Sequence, residues 1–344
     1  MNVLLILVVY IIIITIVQAV SITPGKFPTM ISVSNLVNVL SQVSAPGIMA
    51  MGMALIMIAG GIDLSVGMLT SFVVLYAAKS FRDFGLSLPM ALLTAVLFAV
   101  AFEAGMGFVI SRINVEPFII TLGGMICFRG VALLVTHSQE VSMNNAMDPL
   151  KNTVIVGVKD QANLAVNVPP YIFLFLGITV VMWIVMRFSK YGRRIYAVGA
   201  NRQAAYLAGI NVKNVIFSTY IINGALVAVA ALCLLSRVNT AIITVGQNLE
   251  IDVIASAVLG GVALSGGKGN IWGVFLGAIL LGMIGNGMNM LRINAEWQYV
   301  TKGLIIIGAV SAAAIVAEVQ SKRQLKAKQE ASALESALNS AGEA

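Results

Sequence analysis

The sequence predicts an all-α, polytopic membrane bundle of about ten transmembrane helices with an internal repeat. Three observations carry that expectation. Of 344 residues, 59% are hydrophobic and only 10% charged, with a mean hydropathy of +0.96, whereas a soluble domain carries roughly 25% charged residues. Apolar stretches of about 20 residues, each long enough to cross a hydrocarbon core of about 30 Å as a helix, recur from Val3 to Ala317. Two separate parts of the chain also share a string of residues at one fixed spacing.

The spans fall at 3–20, 34–60, 64–79, 88–111, 117–136, 169–188, 214–235, 250–265, 271–289 and 298–317. The first reads as a retained helix: only Met1 and Asn2 precede it, no basic segment leads it, and Ser21 to Lys26 offers no small-x-small cleavage site. The second is too long for one straight crossing, and Pro46-Gly47 is where it would bend or break. With a cytoplasmic start, the inner loops and the tail carry twelve lysines and arginines and the outer loops seven, the bias expected for this orientation. Two connections are longer than turns. Residues 137–168 form a polar outer loop, and residues 189–213 a basic inner loop whose NRQAAYLAG core reads as a short helix between Gly199 and Gly209. The chain thus divides into a transmembrane domain, 1–317, and a solvated tail, 318–344, rich in Lys, Glu, Ala and Ser.

The net charge of +7 and pI near 9.5 follow from membrane topology, because the basic residues are spread through loops and tail and not gathered with aromatics as a nucleic-acid face would have them. Cys127 and Cys233 both fall inside apolar spans, so they read as inert core thiols and form no disulfide framework or metal-ligand pattern. His137 stands alone at a span end and takes no role.

A shift of 180 residues aligns Gly105-Met-Gly107…Arg112-Ile113-Asn114-Val-Glu116…Thr121-Leu-Gly123 with Gly285-Asn-Gly287…Arg292-Ile293-Asn294-Ala-Glu296…Thr301-Lys-Gly303, eight identities in nineteen positions. A shift of 200 aligns GGIDLSVG (60–67) with GGVALSGG (260–267). The duplicated halves cover 34–136 and 214–317. Arg112 falls inside and Arg292 outside, which makes the repeat inverted, as in many transporters. Both GGxxLSxG strings fall inside, however, and the two shifts differ by 20 residues, so the parity of the halves does not close.

Several strings are decoys. LSGGKG (264–269) resembles the signature of ATP-binding-cassette ATPases, but Lys268 replaces its glutamine and the segment lies between apolar spans. Neither a phosphate-binding loop, a zinc motif nor a nucleophile elbow is present. GGIDLSVG marks a broken helix, since free backbone groups at membrane depth need protein or a wet cavity to satisfy them; Asp63 and Ser65 are its polar members. The plainer reading is an inner turn with Asp63 capping the next helix. Glu103 lies mid-span, where a charge costs about 2.5–3.5 kcal/mol, so it should face the interior or a wet path, with Arg129 as its natural partner. Asn223, Asn286 and Asn289 serve either a hydroxylated solute or helix-to-helix hydrogen bonds, and for any one of them the second is the better reading.

Five collinear strings, GGIDLSVG, VEPFIITLGGMICFRG (115–130), YAVGANRQAAYLAGI (196–210), LEIDVIASAVLGGVALSGGKGNIWGVFLGAIL (249–280) and NGMNMLRINAEWQ (286–298), resemble the permease subunits of ribose-type bacterial ABC sugar importers over residues 34–317. The resemblance implies a homo- or heterodimer of permeases in the bacterial inner membrane. It implies a periplasmic sugar-binding protein as donor and a cytoplasmic ATPase as engine. No cofactor is implied in this chain, since ATP-Mg belongs to the ATPase. Residues 189–213 would carry the coupling helix, with Gly199, Asn201, Ala204, Ala205 and Gly209 at the contact. Asp63, Ser65, Glu103, Arg129, Asn286 and Asn289 are the candidates for the translocation path. The amino terminus is shorter than the cytoplasmic stretch with which the family usually begins, and Ser138 to Val168 matches no family motif. A gradient-driven secondary transporter of a small polar solute is the competing reading, which the repeat and Glu103 would serve equally well. An intramembrane enzyme lacks paired catalytic residues.

Overall fold

A computed structural model describes residues 3–21, 29–113, 115–152, 156–159, 165–308, 310–311 and 315. Lys26, Asn114, the end of the last expected span and the tail 318–344 lie outside the described residues. Residues 1–294 form one compact unit and 295–344 a second.

In the first unit the long elements are α1 (Val3–Ser21), α2 (Val33–Ile58), α3 (Val66–Arg82), α4 (Leu88–Ile113), α5 (Pro117–Thr136), and, after a five-residue turn of helix α6 (Asp148–Asn152), α7 (Pro170–Phe188). Then follow α8 (Lys190–Ala200), α9 (Arg202–Leu207), α10 (Val212–Val238), α11 (Leu249–Leu259) and α12 (Ile271–Met290). In the second unit, residues 295–308 are helical. Six of these helices, α2, α4, α5, α7, α10 and α12, are long and apolar enough to cross a membrane. The ten expected crossings are therefore not all matched by helices of spanning length among the described residues. At 1.5 Å per residue α11 reaches only about 17 Å and α3 about 26 Å. The sequence overextended the eighth span because the apolar run continues through Gly260 to Leu264, beyond the glycines that stop the helix.

The core is α2. Ser32 opens it by accepting a hydrogen bond from the Asn35 amide, and it runs through Pro46 without a break. The break expected at Pro46-Gly47 lies instead at Gly60, beyond the end of the helix. Gly47 is needed for packing: a Cβ there would lie 2.5 Å from the Phe175 ring of α7. From Gly47 to Ile58 every side chain is buried, with Met49, Met51, Met53 and Met57 filling irregular gaps.

Neighbour pairs fix the helix directions. Glu103, Gly107 and Arg112 of α4 meet Gly224, Tyr220 and Asn214 of α10, so these helices run antiparallel. Asn35 and Val43 of α2 meet Asn286 and Gly282 of α12, again antiparallel. Gly52 of α2 meets Asn223 of α10, while Gly61, just beyond α2, meets Tyr220. Thus α2 and α4 point one way and α10 and α12 the other.

The described residues of 137–168 hold more regular structure than a polar loop. His137, in the left-handed region, ends α5. Strand β1 (Val141–Ser142) pairs with β4 (Thr240–Ala241), and β2 (Val156–Lys159) pairs antiparallel with β3 (Ala165–Val168).

Candidate functional site

Two helix breaks dominate the interior. After α2, Gly60 takes φ +85°, its amide donates to Met57 O and that of Gly61 to Ile56 O; after α11, Gly261 takes φ +85°, its amide donates to Val258 O and that of Val262 to Ala257 O. Both are left-handed glycine helix stops that satisfy the last carbonyls. The likeness of the two GG strings is thus a likeness of helix-stop chemistry, offset by one residue from the sequence alignment.

The first break turns polar groups inward. Asp63 and Ser65 are fully buried, as is Glu103 on α4. The Ser65 amide and hydroxyl both donate to Asp63 Oδ1, at 2.8 and 2.7 Å, and the Asn223 Nδ2 of α10 donates to Asp63 Oδ2 at 2.8 Å. Ser65 Oγ also reaches Glu103 Oε1 at 3.3 Å. Asp63 does not cap α3 as expected, since Ser65 is its N-cap and no side chain caps the helix; it closes a turn just ahead of α3 and joins a buried polar cluster. Glu103 Oε2, Asn223 Oδ1 and the Tyr220 hydroxyl are buried without a hydrogen-bond partner. Buried polar groups left in that state cost about 1–3 kcal/mol each, which singles this cluster out as the candidate polar site of the interior.

The expected Glu103–Arg129 pair does not form. Arg129 is exposed on α5, and neither buried carboxylate has a lysine or arginine partner among the described residues. Both residues lie in spans, but sequence gives no relation between helix faces. Cys127 also corrects its expectation: it is exposed on the same helix, while Cys233 is buried. Asn286 is elsewhere. It exchanges two amide hydrogen bonds with Asn35, at 3.0 and 2.9 Å, and ties α12 to α2. Asn289 lies one turn below, where its carbonyl accepts the Arg292 amide near the end of α12. The six candidate path residues thus divide into a buried cluster (Asp63, Ser65, Glu103), an amide clasp (Asn286, with Asn289 beside it) and an open helix face (Arg129).

The 189–213 segment folds as the amphipathic α8, which was not anticipated, and the short α9, which was. Ser189 caps α8 by accepting the Gly192 amide, and Ile195 and Val198 face inward. Asn201 caps α9 through the Ala204 amide at 2.9 Å. Gly209, at φ +79°, ends it with Ile210 N donating to Ala205 O. Ala205 is buried, Ala204 is exposed, and Tyr206 and Leu207 stand 70% and 77% exposed on the outer face. Gly199 sits where a Cβ would run into Ile58 O and Gly267 N, themselves joined by a hydrogen bond of 2.8 Å. Arg202 Nη2 donates to Gly60 O at 3.2 Å. This segment therefore touches the first helix break and the Gly266-Gly267 turn that follows the second.

A family model described as the permease component of the branched-chain amino acid transport system matches residues 35–310. Ribose import permease protein RbsC of Escherichia coli K12 is 33% identical over 291 residues, 82% of this chain and 86% of that protein. RbsC of Bacillus subtilis is 32% identical over 286 residues, covering 82% and 85%. Xylose transport system permease protein XylH of Haemophilus influenzae is 30% identical over 332 residues, covering 81% and 88%. No solved structure matches. The chain is a multi-pass membrane transport permease and belongs to this permease family, whose members among its relatives are transporters and not enzymes.

Proposed function

We propose that the chain is the membrane-spanning subunit of an ATP-driven importer that carries a monosaccharide delivered by an external binding protein. ATP-Mg is bound and hydrolysed on a separate ATPase subunit, and both termini of the permease face the cytoplasm of the inner membrane. The observation that carries this reading is the α8–α9 segment. Its outer face presents Tyr206 and Leu207 to a partner, while Gly199 and Arg202 on its inner face hold Ile58 and Gly60 at the break beside Asp63. A push on α9 reaches the break beside the polar cluster through the Arg202 side chain and the Gly199 backbone. Relatives named for ribose and xylose put pentoses first among the solutes to assay.

The same reading includes a second permease copy. The open face of α5 carries Arg129, with Ile126 and Leu134 65% and 76% exposed. An arginine facing lipid at mid-span costs about 2.5–3.5 kcal/mol on insertion scales, so a wet path between two copies accounts for it better than hydrocarbon does.

An inverted repeat, α2–α4 onto α10–α12, underlies that path. It is supported by element bounds: α2 starts at 33 and ends at 58, α10 starts at 212 and ends at 238, and α4 and α12 start at 88 and 271. Each pair lies near the 180-residue shift, with opposite directions. Gly67 and Gly246, also near that shift, approach each other closely enough that a Cβ on either would strike the other's carbonyl, as residues flanking a pseudo-twofold axis would. On this reading the 200-residue match is not part of the repeat, and the parity conflict disappears.

The buried Asp63–Glu103 pair favours a second reading, coupling to an ion gradient, since carboxyl groups without a cationic partner suit proton or cation exchange. A photoreactive residue in place of Leu207 tests the first reading. In native membranes it should crosslink to a nucleotide-binding subunit, and crosslinks to lipid alone would contradict the assignment.

A further inference from the structure

The corner between α7, α8 and the start of α12 encloses a cavity of about 780 Å³ that belongs to neither the buried cluster nor the α9 face. Arg187, Arg193, Tyr196, Asn270 and Trp183 line it, and no acidic residue does. Arg193 is held in place by donating to Phe188 O at 3.1 Å, and Tyr196 by donating to Gly269 O at 2.9 Å. Above the two guanidinium groups the wall becomes aromatic. Trp183 and Trp272 lie 6.1 Å apart, and Trp183 meets Phe188 edge-on at 5.4 Å. Val180 and Leu176, one and two turns back along α7 on the face that carries Trp183 and Arg187, continue the apolar surface at 41% and 37% exposure.

Paired tryptophans over arginines are the chemistry of the membrane interface, where the indole sits at headgroup level and the cations meet phosphate. The amphipathic α8, with Ile195 and Val198 buried and Arg193 and Arg194 exposed, lies at the same level. We propose that this cavity binds the phosphate headgroup of an anionic phospholipid, whose acyl chains run along Val180 and Leu176. Arg187 and Arg193 take the phosphate oxygens, for which the guanidinium geometry is suited. The lipid then ties the α7–α8 corner to the loop that precedes α12, and so braces the segment that carries α9.

The test is thermal unfolding of the full chain in phosphatidylcholine nanodiscs with and without phosphatidylglycerol. Phosphatidylglycerol should raise the midpoint by about 4 °C. The Arg187→Gln/Arg193→Gln variant should lose that rise, and a Lys190→Gln/Arg194→Gln control, changed outside the cavity, should keep it. Equal midpoints in the two lipids, a rise kept in Arg187→Gln/Arg193→Gln, or the same rise from inorganic phosphate in phosphatidylcholine would each overturn the proposal, the last by making the ligand a soluble anion. If the double variant does not fold, the unaltered chain decides through its tryptophans. Brominated phosphatidylglycerol should quench their fluorescence more than brominated phosphatidylcholine, and equal quenching overturns the site.

Discussion

Glu103 commits a carboxyl group to an otherwise apolar helix, and the fold answers with Ser65 and a neighbouring carboxyl, not a cation. Glu103→Gln keeps the volume and the Ser65 contact, so membrane levels and ATP-driven uptake should both stay near those of the unaltered chain. Loss of uptake in a well-folded Glu103→Gln protein would favour ion coupling. Asn223→Leu should be harsher. It removes the donor to Asp63 Oδ2 and leaves a buried carboxylate short of a partner, a loss of about 1–3 kcal/mol visible as a lower unfolding midpoint. Asp63, Ser65 and Glu103 were legible as candidates because polar groups in an apolar run must be explained. Asn223 was legible only as an amide for a solute or a neighbouring helix, and Tyr220 not at all, because a single amide or phenol on a long helix looks the same whether it faces a neighbouring helix or a buried carboxylate.

Among the elements, α9 was the most legible, since Asn201 and Gly209 supply a start and a stop six residues of helix apart. The amphipathic α8 escaped because its KYGRR opening resembles a basic loop, and the strands of 141–168 escaped because such short pairs leave little alternation to read. The relay from α9 to the breaks makes a sharp prediction. Gly199→Val forces a side chain into Ile58 O and Gly267 N, so the α8 end must move away. In the assembled transporter ATP hydrolysis should continue while uptake falls by about tenfold, equivalent to ~1.4 kcal/mol of coupling. Gly209→Val meets open space but a strained φ of +79°, so it should act in the same direction by distorting the end of α9. Unchanged ratios of uptake to hydrolysis in both variants would remove α9 from the relay.

For the molecule as a whole, embedding in the bilayer was plain from composition, whereas spanning length was not. Apolar runs continue through the glycine stops, and hydropathy does not register where a helix ends. The open α5 face predicts that Cys127 reacts with a membrane-impermeant methanethiosulfonate in native membranes much faster than the buried Cys233. Protection of both thiols would place lipid, not water, against the Cys127 side of α5. The central claim, that this permease is worked by an ATPase through α8–α9, is tested most directly by uptake in proteoliposomes holding the permease, its ATPase and its binding protein, with proton and sodium gradients collapsed. Pentose should accumulate only when ATP is supplied on the ATPase side. Accumulation that ignores ATP and returns only when a gradient is restored would contradict it.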